Sequence, residues 1–161
     1  AYEQVFTDAA AFEEVEMDDT LIQTIRDQLD QEGYKAQSIE EVMRAEDQSG
    51  ETLGYAFTVV TSEGYGGDIQ FSMGVQNDGT LNGISILSIG ETAGLGMNAD
   101  TPAFKDQFVG KQVEKLQYTK NGATQDDEIN AISGATVTTN AMTNGVNAGL
   151  CAFRVMEGGD Q

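Results

Sequence analysis

The sequence predicts a single α+β domain, with helices packed on an antiparallel sheet meander. Three observations point there. Leu53, Tyr55, Phe57 and Val59 alternate with small or polar residues, and Ile69, Phe71, Met73 and Val75 repeat that period, as half-buried strands do. Asn77-Asp78-Gly79-Thr80 divides the second run from Ile84, Ile86 and Ile89, using residues that tolerate positive φ in a hairpin turn. Val137, Ala141, Met142, Val146, Leu150 and Phe153 recur at helical intervals, so the chain closes with a long helix.

Taken in order, residues 2–16 mix Tyr2, Phe6 and Phe12 with acids and read as a short helix or a leader onto the domain. From Asp19, the residues Leu21, Ile22, Ile25 and Leu29 share one helical face. Asp18, Asp19 and Thr20 are cap candidates and Gly33 is the stop. Residues 34–46 fit either a strand or an irregular segment. The runs at 53–59, 69–75 and 84–89 form the meander. Pro102, Phe104 and Phe108 predict one short helix ending at Gly110, and Val113, Leu116 and Tyr118 an edge strand. The closing helix holds many mediocre helix formers, among them Asn140, Gly145 and Gly149. Tertiary packing must therefore hold it, and its small residues suit close approach to the sheet.

Composition excludes whole classes of chemistry. The net charge is −19 with eight Lys and Arg, a surface that repels nucleic acid and anionic lipid. There is no His, which removes His-based triads, His-ligated haem and most zinc sites. Cys151 is the single cysteine, so no internal disulfide or CxxC motif exists; it falls in the last helical pattern and reads as a buried small apolar residue. Redox chemistry here needs an organic cofactor. No metal site is expected. No residue stands out as a general acid or base, so no small-molecule substrate and no catalysis by the chain alone are expected.

Function concentrates in three stretches. Ser133-Gly134-Ala135-Thr136-Val137-Thr138-Thr139 is a small-residue turn feeding a helix start, where unpaired N–H groups and the helix dipole favour a phosphate. The same residues equally suit an ordinary Ser N-cap with a Thr-rich first turn. Glu91-Thr92-Ala93-Gly94-Leu95-Gly96 is a loop directly after a strand; it lacks the third glycine and the βαβ setting of a dinucleotide fingerprint. Gly64-Tyr65-Gly66-Gly67-Asp68 lies between the first two strands of the meander. Its glycines permit close backbone approach to a planar ligand on which Tyr65 stacks, or they make a flexible hairpin tip.

Ser133-Gly134-Ala135-Thr136 with Val137-Thr138 resembles the flavin-attachment motif of the FMN-binding domain family. That family includes the G subunit of Rnf-type ferredoxin:NAD oxidoreductases and the C subunit of Na+-translocating NADH:quinone reductases. The 91–96 loop resembles the family's E-T-P-G-L-G loop with Ala93 in place of Pro. Phe104-Lys105-Asp106-Gln107-Phe108-Val109-Gly110-Lys111 resembles the family's next segment. The likeness covers about residues 66–153 and is closer to the Rnf subunit.

The resemblance implies FMN as cofactor, with its phosphate esterified to Thr136. Ser133, Gly134, Ala135 and Val137 would surround the attachment point, and Thr138 and Thr139 would be phosphate donors. Glu91, Thr92, Gly94, Leu95, Gly96 and Tyr65 would lie near the ring. A second Gly-Ala-Thr, at 122–124, runs into Asp126, Asp127 and Glu128, whose charges oppose a phosphate, and no helix follows it. The family pattern has Asp where Asn130 stands. The likeness further implies an electron-transfer subunit of an ion-translocating membrane redox complex. Its partners would be the other subunits and, for maturation, a flavin transferase using FAD and Mg2+. Family members carry one N-terminal membrane anchor and face away from the cytoplasm. Residues 1–17 are therefore expected to be a leader following an anchor absent from this chain, and 18–161 the FMN-binding domain. The alternatives are an extracytoplasmic flavin shuttle or reductase domain, and a noncatalytic domain that has lost FMN.

Overall fold

Asp18 starts the first helix: its carboxylate accepts the Leu21 amide at 2.8 Å, and Gly33, at φ 93°, ends it in the left-handed region. A computed structural model describes residues 2–159, with α1 at Asp19–Glu32. Ile25 and Leu29 bury the face predicted from spacing, whereas Ile22 is exposed. Loss of the cap in Asp18→Ala is expected to cost about 1 kcal/mol, read as a fall in Tm of about 2–4 °C by circular dichroism.

The sheet has five strands in sequential order, every neighbour antiparallel: β1 (Ala11–Glu14), β2 (Gln37–Glu46), β3 (Thr52–Thr61), β4 (Ile69–Gln76) and β5 (Leu81–Ser88). The meander predicted from three runs thus gains two strands. β2 settles the ambiguous 34–46 stretch, and β1 emerges from the segment read as helix or leader. A 3-10 turn at Tyr2–Gln4 precedes it. Ile89 falls just beyond β5.

Tyr55, Phe57 and Val59 and Ile69, Phe71, Met73 and Val75 all lie buried in the core between sheet and helices, but the strands are not half-buried as expected: Ala56, Thr58 and Ser72 between them are buried too. Leu53 departs from the alternation. Where β2 pairs β3, the register shifts between Ala45 and Glu46, opposite Gly54 and Thr52. The extra residue turns Leu53 to the other face, against the small cluster of Val5, Phe6, Ala45 and Ala56.

The closing helix, α3 (Thr136–Gly159), lies on the sheet through its glycines. A Cβ at Gly145 would fall 2.8 Å from the Phe71 ring, and one at Gly149 would fall 2.1 Å from Met73 Sδ. Packing replaces propensity here, as the composition of the helix requires.

Between sheet and α3, the predicted short helix is a single turn, α2 (Pro102–Lys105), flanked by 3-10 turns at Gly96–Asp100 and Asp106–Phe108. The predicted edge strand at 113–118 shifts. β6 (Gln117–Thr119) pairs in parallel with β7 (Glu128–Asn130), and the two form a separate small sheet. Buried Asn147 of α3 accepts the Leu116 N–H at 2.7 Å and donates to the Leu116 carbonyl at 2.8 Å. That side chain takes the place of a neighbouring strand, which hydropathy periodicity does not reveal.

Cys151 is fully buried, as its setting in the sequence suggested. Burial, then the Glu32 carboxylate that its thiol contacts at 3.4 Å, push its pKa from 9.0 up to about 12. The native protein is therefore expected to resist a thiol-specific reagent at about pH 8 until it unfolds. The raised folded pKa means that the thiol's stabilising contribution is complete below pH 9.0 and is lost as pH rises through about 12. Thermal melts across that alkaline range measure it.

Candidate functional site

The turn at Ser133 and Gly134 delivers the chain into α3. Gly134 takes φ 74°, and the first helical hydrogen bond runs from the Thr139 N–H to the Ala135 carbonyl at 3.0 Å. The amides of Thr136, Val137 and Thr138 precede that bond, so they have no helical acceptor of the usual kind. Thr139 holds the turn from within: its hydroxyl accepts the Ile132 N–H at 3.0 Å and donates to the Ala135 carbonyl at 2.8 Å. It is fully buried, with its donor spent on the backbone.

In front of the turn lies a cavity of about 640 Å³, within the range of small-ligand sites. One wall is Gly134 to Thr138, a second is Thr92, Leu95 and Gly96, and Tyr65 completes it. Two stretches about forty residues apart in the chain are thus brought together, and Thr136 sits half-buried between them. The Leu95 side chain approaches within 3.1 Å of where a Gly134 Cβ would be. Tyr65, Leu95 and Val137 are 76%, 44% and 51% exposed, so three large apolar side chains stand open around one cavity.

Four predicted residues do not line the cavity. Ser133 is exposed on the turn and is not the N-cap, because α3 begins three residues later. Gly94, at φ 77°, bends the 91–96 loop in the left-handed region. Thr139 is committed as described. Glu91 lies behind the wall, 8% exposed, accepting the Thr138 hydroxyl at 2.6 Å and the amides of Tyr65 and Gly66 at 2.8 and 2.5 Å. Gly66 does approach a backbone closely, but its neighbour is Gly90: a Cβ would meet the Gly90 oxygen at 2.2 Å.

The second Gly-Ala-Thr is occupied otherwise. The Thr124 amide and hydroxyl both donate to the Glu128 carboxylate, at 3.1 and 3.3 Å, and the hydrogen bonds hold that carboxyl below its usual pKa. Asn130 is a support the sequence did not disclose. Its Oδ1 accepts the Ala123 N–H at 2.7 Å, and its backbone exchanges two bonds with the Gln107 side chain. An Asp at this position would keep the acceptor.

The fold is α+β, and its apolar-walled cavity ends at a threonine where the first amides of α3 lack helical acceptors, a setting that suits a phosphorylated planar ligand. The chain belongs to the FMN-binding domain family, whose model matches residues 64–150. It is 33% identical over 156 residues to the G subunit of the Na(+)-translocating ferredoxin:NAD(+) oxidoreductase complex of Acetobacterium woodii, covering 96% of this chain and 72% of that protein. It is 38% identical over 98 residues to the G subunit of the proton-translocating ferredoxin:NAD(+) oxidoreductase complex of Clostridium ljungdahlii, covering 61% of this chain and 52% of that one. The fold is similar to the crystal structure of the C subunit of the Na(+)-translocating NADH-quinone reductase from Parabacteroides distasonis. That likeness has a TM-score of 0.60 at 24% identity and covers 73% of this chain and 62% of the other.

FMN is the cofactor, and the residues present fit it. Tyr65, Leu95 and Val137 offer apolar surface for a flat ring system, while the Thr136 hydroxyl and the first amides of α3 offer what a phosphate needs. The redox chemistry is that of the bound flavin.

Proposed function

We propose that this protein is the FMN-carrying electron-transfer subunit of a Rnf-type ion-translocating redox complex, with FMN joined through its phosphate to Thr136. The observation that carries this is the position of Thr136, half-buried at the α3 mouth and inside the cavity shared with the 91–96 loop. The other two threonines of the turn are tied elsewhere, Thr138 to Glu91 and Thr139 to the Ala135 carbonyl. In attachment the Thr136 oxygen forms a bond to the FMN phosphorus of FAD. The pyrophosphate bond breaks, AMP leaves, and the hydroxyl proton is released; a flavin transferase with Mg2+ would serve this step. The chain's own residues then position the ring.

The partners proposed are the other subunits of the complex. The domain would face away from the cytoplasm, held by an anchor preceding residues 1–17. No helix among the described residues is long and apolar enough to cross a membrane. Co-expression with a flavin transferase followed by intact-mass measurement tests the reading. A gain of one FMN less one water supports it. No adduct would leave a noncatalytic domain.

A further inference from the structure

Glu91 is a carboxylate buried where three segments meet. Its Oε1 accepts the Tyr65 N–H at 2.8 Å and the Thr138 hydroxyl at 2.6 Å, and its Oε2 accepts the Gly66 N–H at 2.5 Å. A carboxylate is acceptor-only, which matches donors arriving from two different segments. The surroundings are shaped to it. A Cβ at Gly66 would fall 2.8 Å from Glu91 Oε2, and one at Gly96 would fall 2.7 Å from Glu91 Cβ and 2.5 Å from Thr138 Oγ1. The Tyr65 loop, the 91–96 loop and the first turn of α3 therefore close on one side chain, although that side chain does not line the cavity.

We infer that Glu91 is a positioning residue: its carboxylate locks the 64–67 loop to the first turn of α3 and so holds the exposed Tyr65 ring as a fixed wall of the FMN cavity. This rests on the FMN reading of that cavity. Tyr65 is 76% exposed, so its own burial does little to fix its ring. The two amides that flank Tyr65, its own N–H and that of Gly66, are held by charge-assisted bonds and do so instead. A glutamine at position 91 cannot replace the acid. With its NH2 at the Oε2 position it opposes the Gly66 N–H; with its NH2 at the Oε1 position it opposes the Tyr65 N–H. In either orientation one loop amide loses its acceptor.

The test has two arms. In 15N-labelled protein without FMN, amide exchange at Tyr65 and Gly66 is expected to be slow. It should speed up about tenfold or more in Glu91→Gln and stay slow in Thr138→Val, which keeps both loop bonds. In FMN-loaded protein, Glu91→Gln is expected to raise flavin fluorescence and alter visible circular dichroism in the direction that Tyr65→Ala does. Unprotected Tyr65 and Gly66 amides in the wild-type protein would overturn the inference without any variant. So would faster exchange with flavin spectra unchanged from wild type, which would reduce Glu91 to a structural part of the fold. A wild-type protein that takes up no FMN would instead sink the proposed function, with amide exchange still deciding whether Glu91 holds the loop.

Discussion

Thr136→Ala is expected to abolish covalent flavin altogether and to leave the fold intact. Intact mass after co-expression with a flavin transferase should show the bare chain, where the wild type gains one FMN less water. The completeness of the loss rests on the positions of the other hydroxyls. Thr138 is 2% exposed and donates to Glu91, Thr139 is fully buried in the turn, and Thr124 is paired with Glu128 on a loop with no helix behind it. None is an adequate substitute for a half-exposed hydroxyl in the cavity. The stability cost should stay within about 0.5 kcal/mol, because a half-buried methyl and hydroxyl at a helix start contribute little to the core.

Phe71→Ala is the change expected to cost the fold most. The ring is fully buried in the middle of β4 and sits where α3 crosses the sheet, packed against the bare backbone of Gly145. Removing it deletes the contact and leaves a void that a glycine cannot fill. The expected loss is about 3–5 kcal/mol, or a fall in Tm of about 6–20 °C for a chain of this size. Denaturant titration with tertiary-structure detection measures it. A loss below about 1 kcal/mol would mean that α3 does not depend on this seam.

Much of this architecture was legible because its signals are local. Asp18 and Gly33 punctuate α1, alternation marks β3 and β4, and Asn77-Asp78-Gly79 marks the hairpin between β4 and β5. The turn that opens α3 was legible through its residue types and through family likeness. The features that stayed hidden depend on contacts distant in sequence. β1 is four residues of mixed polarity that become a strand only by pairing with β2. Leu53 obeys the period of two in sequence, yet the register shift beside Gly54 puts it on the opposite face. β7 has a single buried residue, Ile129, and the 113–118 segment is held by a side chain from α3. The site shows the same division. Thr136 and Leu95 were recognisable as lining residues. Glu91 carries the same motif but faces inward, because a carboxylate accepting three donors is stable only in a pocket built from both loops and the helix.

Peptide mapping of the flavinylated protein decides which hydroxyl carries the cofactor. No Lys or Arg lies between Lys120 and Arg154, so one tryptic peptide, 121–154, carries Thr124, Thr136, Thr138 and Thr139 together, and tandem fragmentation must assign the adduct among them. FMN on Thr136 is the expected result. An adduct on Thr124, Thr138 or Thr139, or a peptide with no FMN at all, would contradict it.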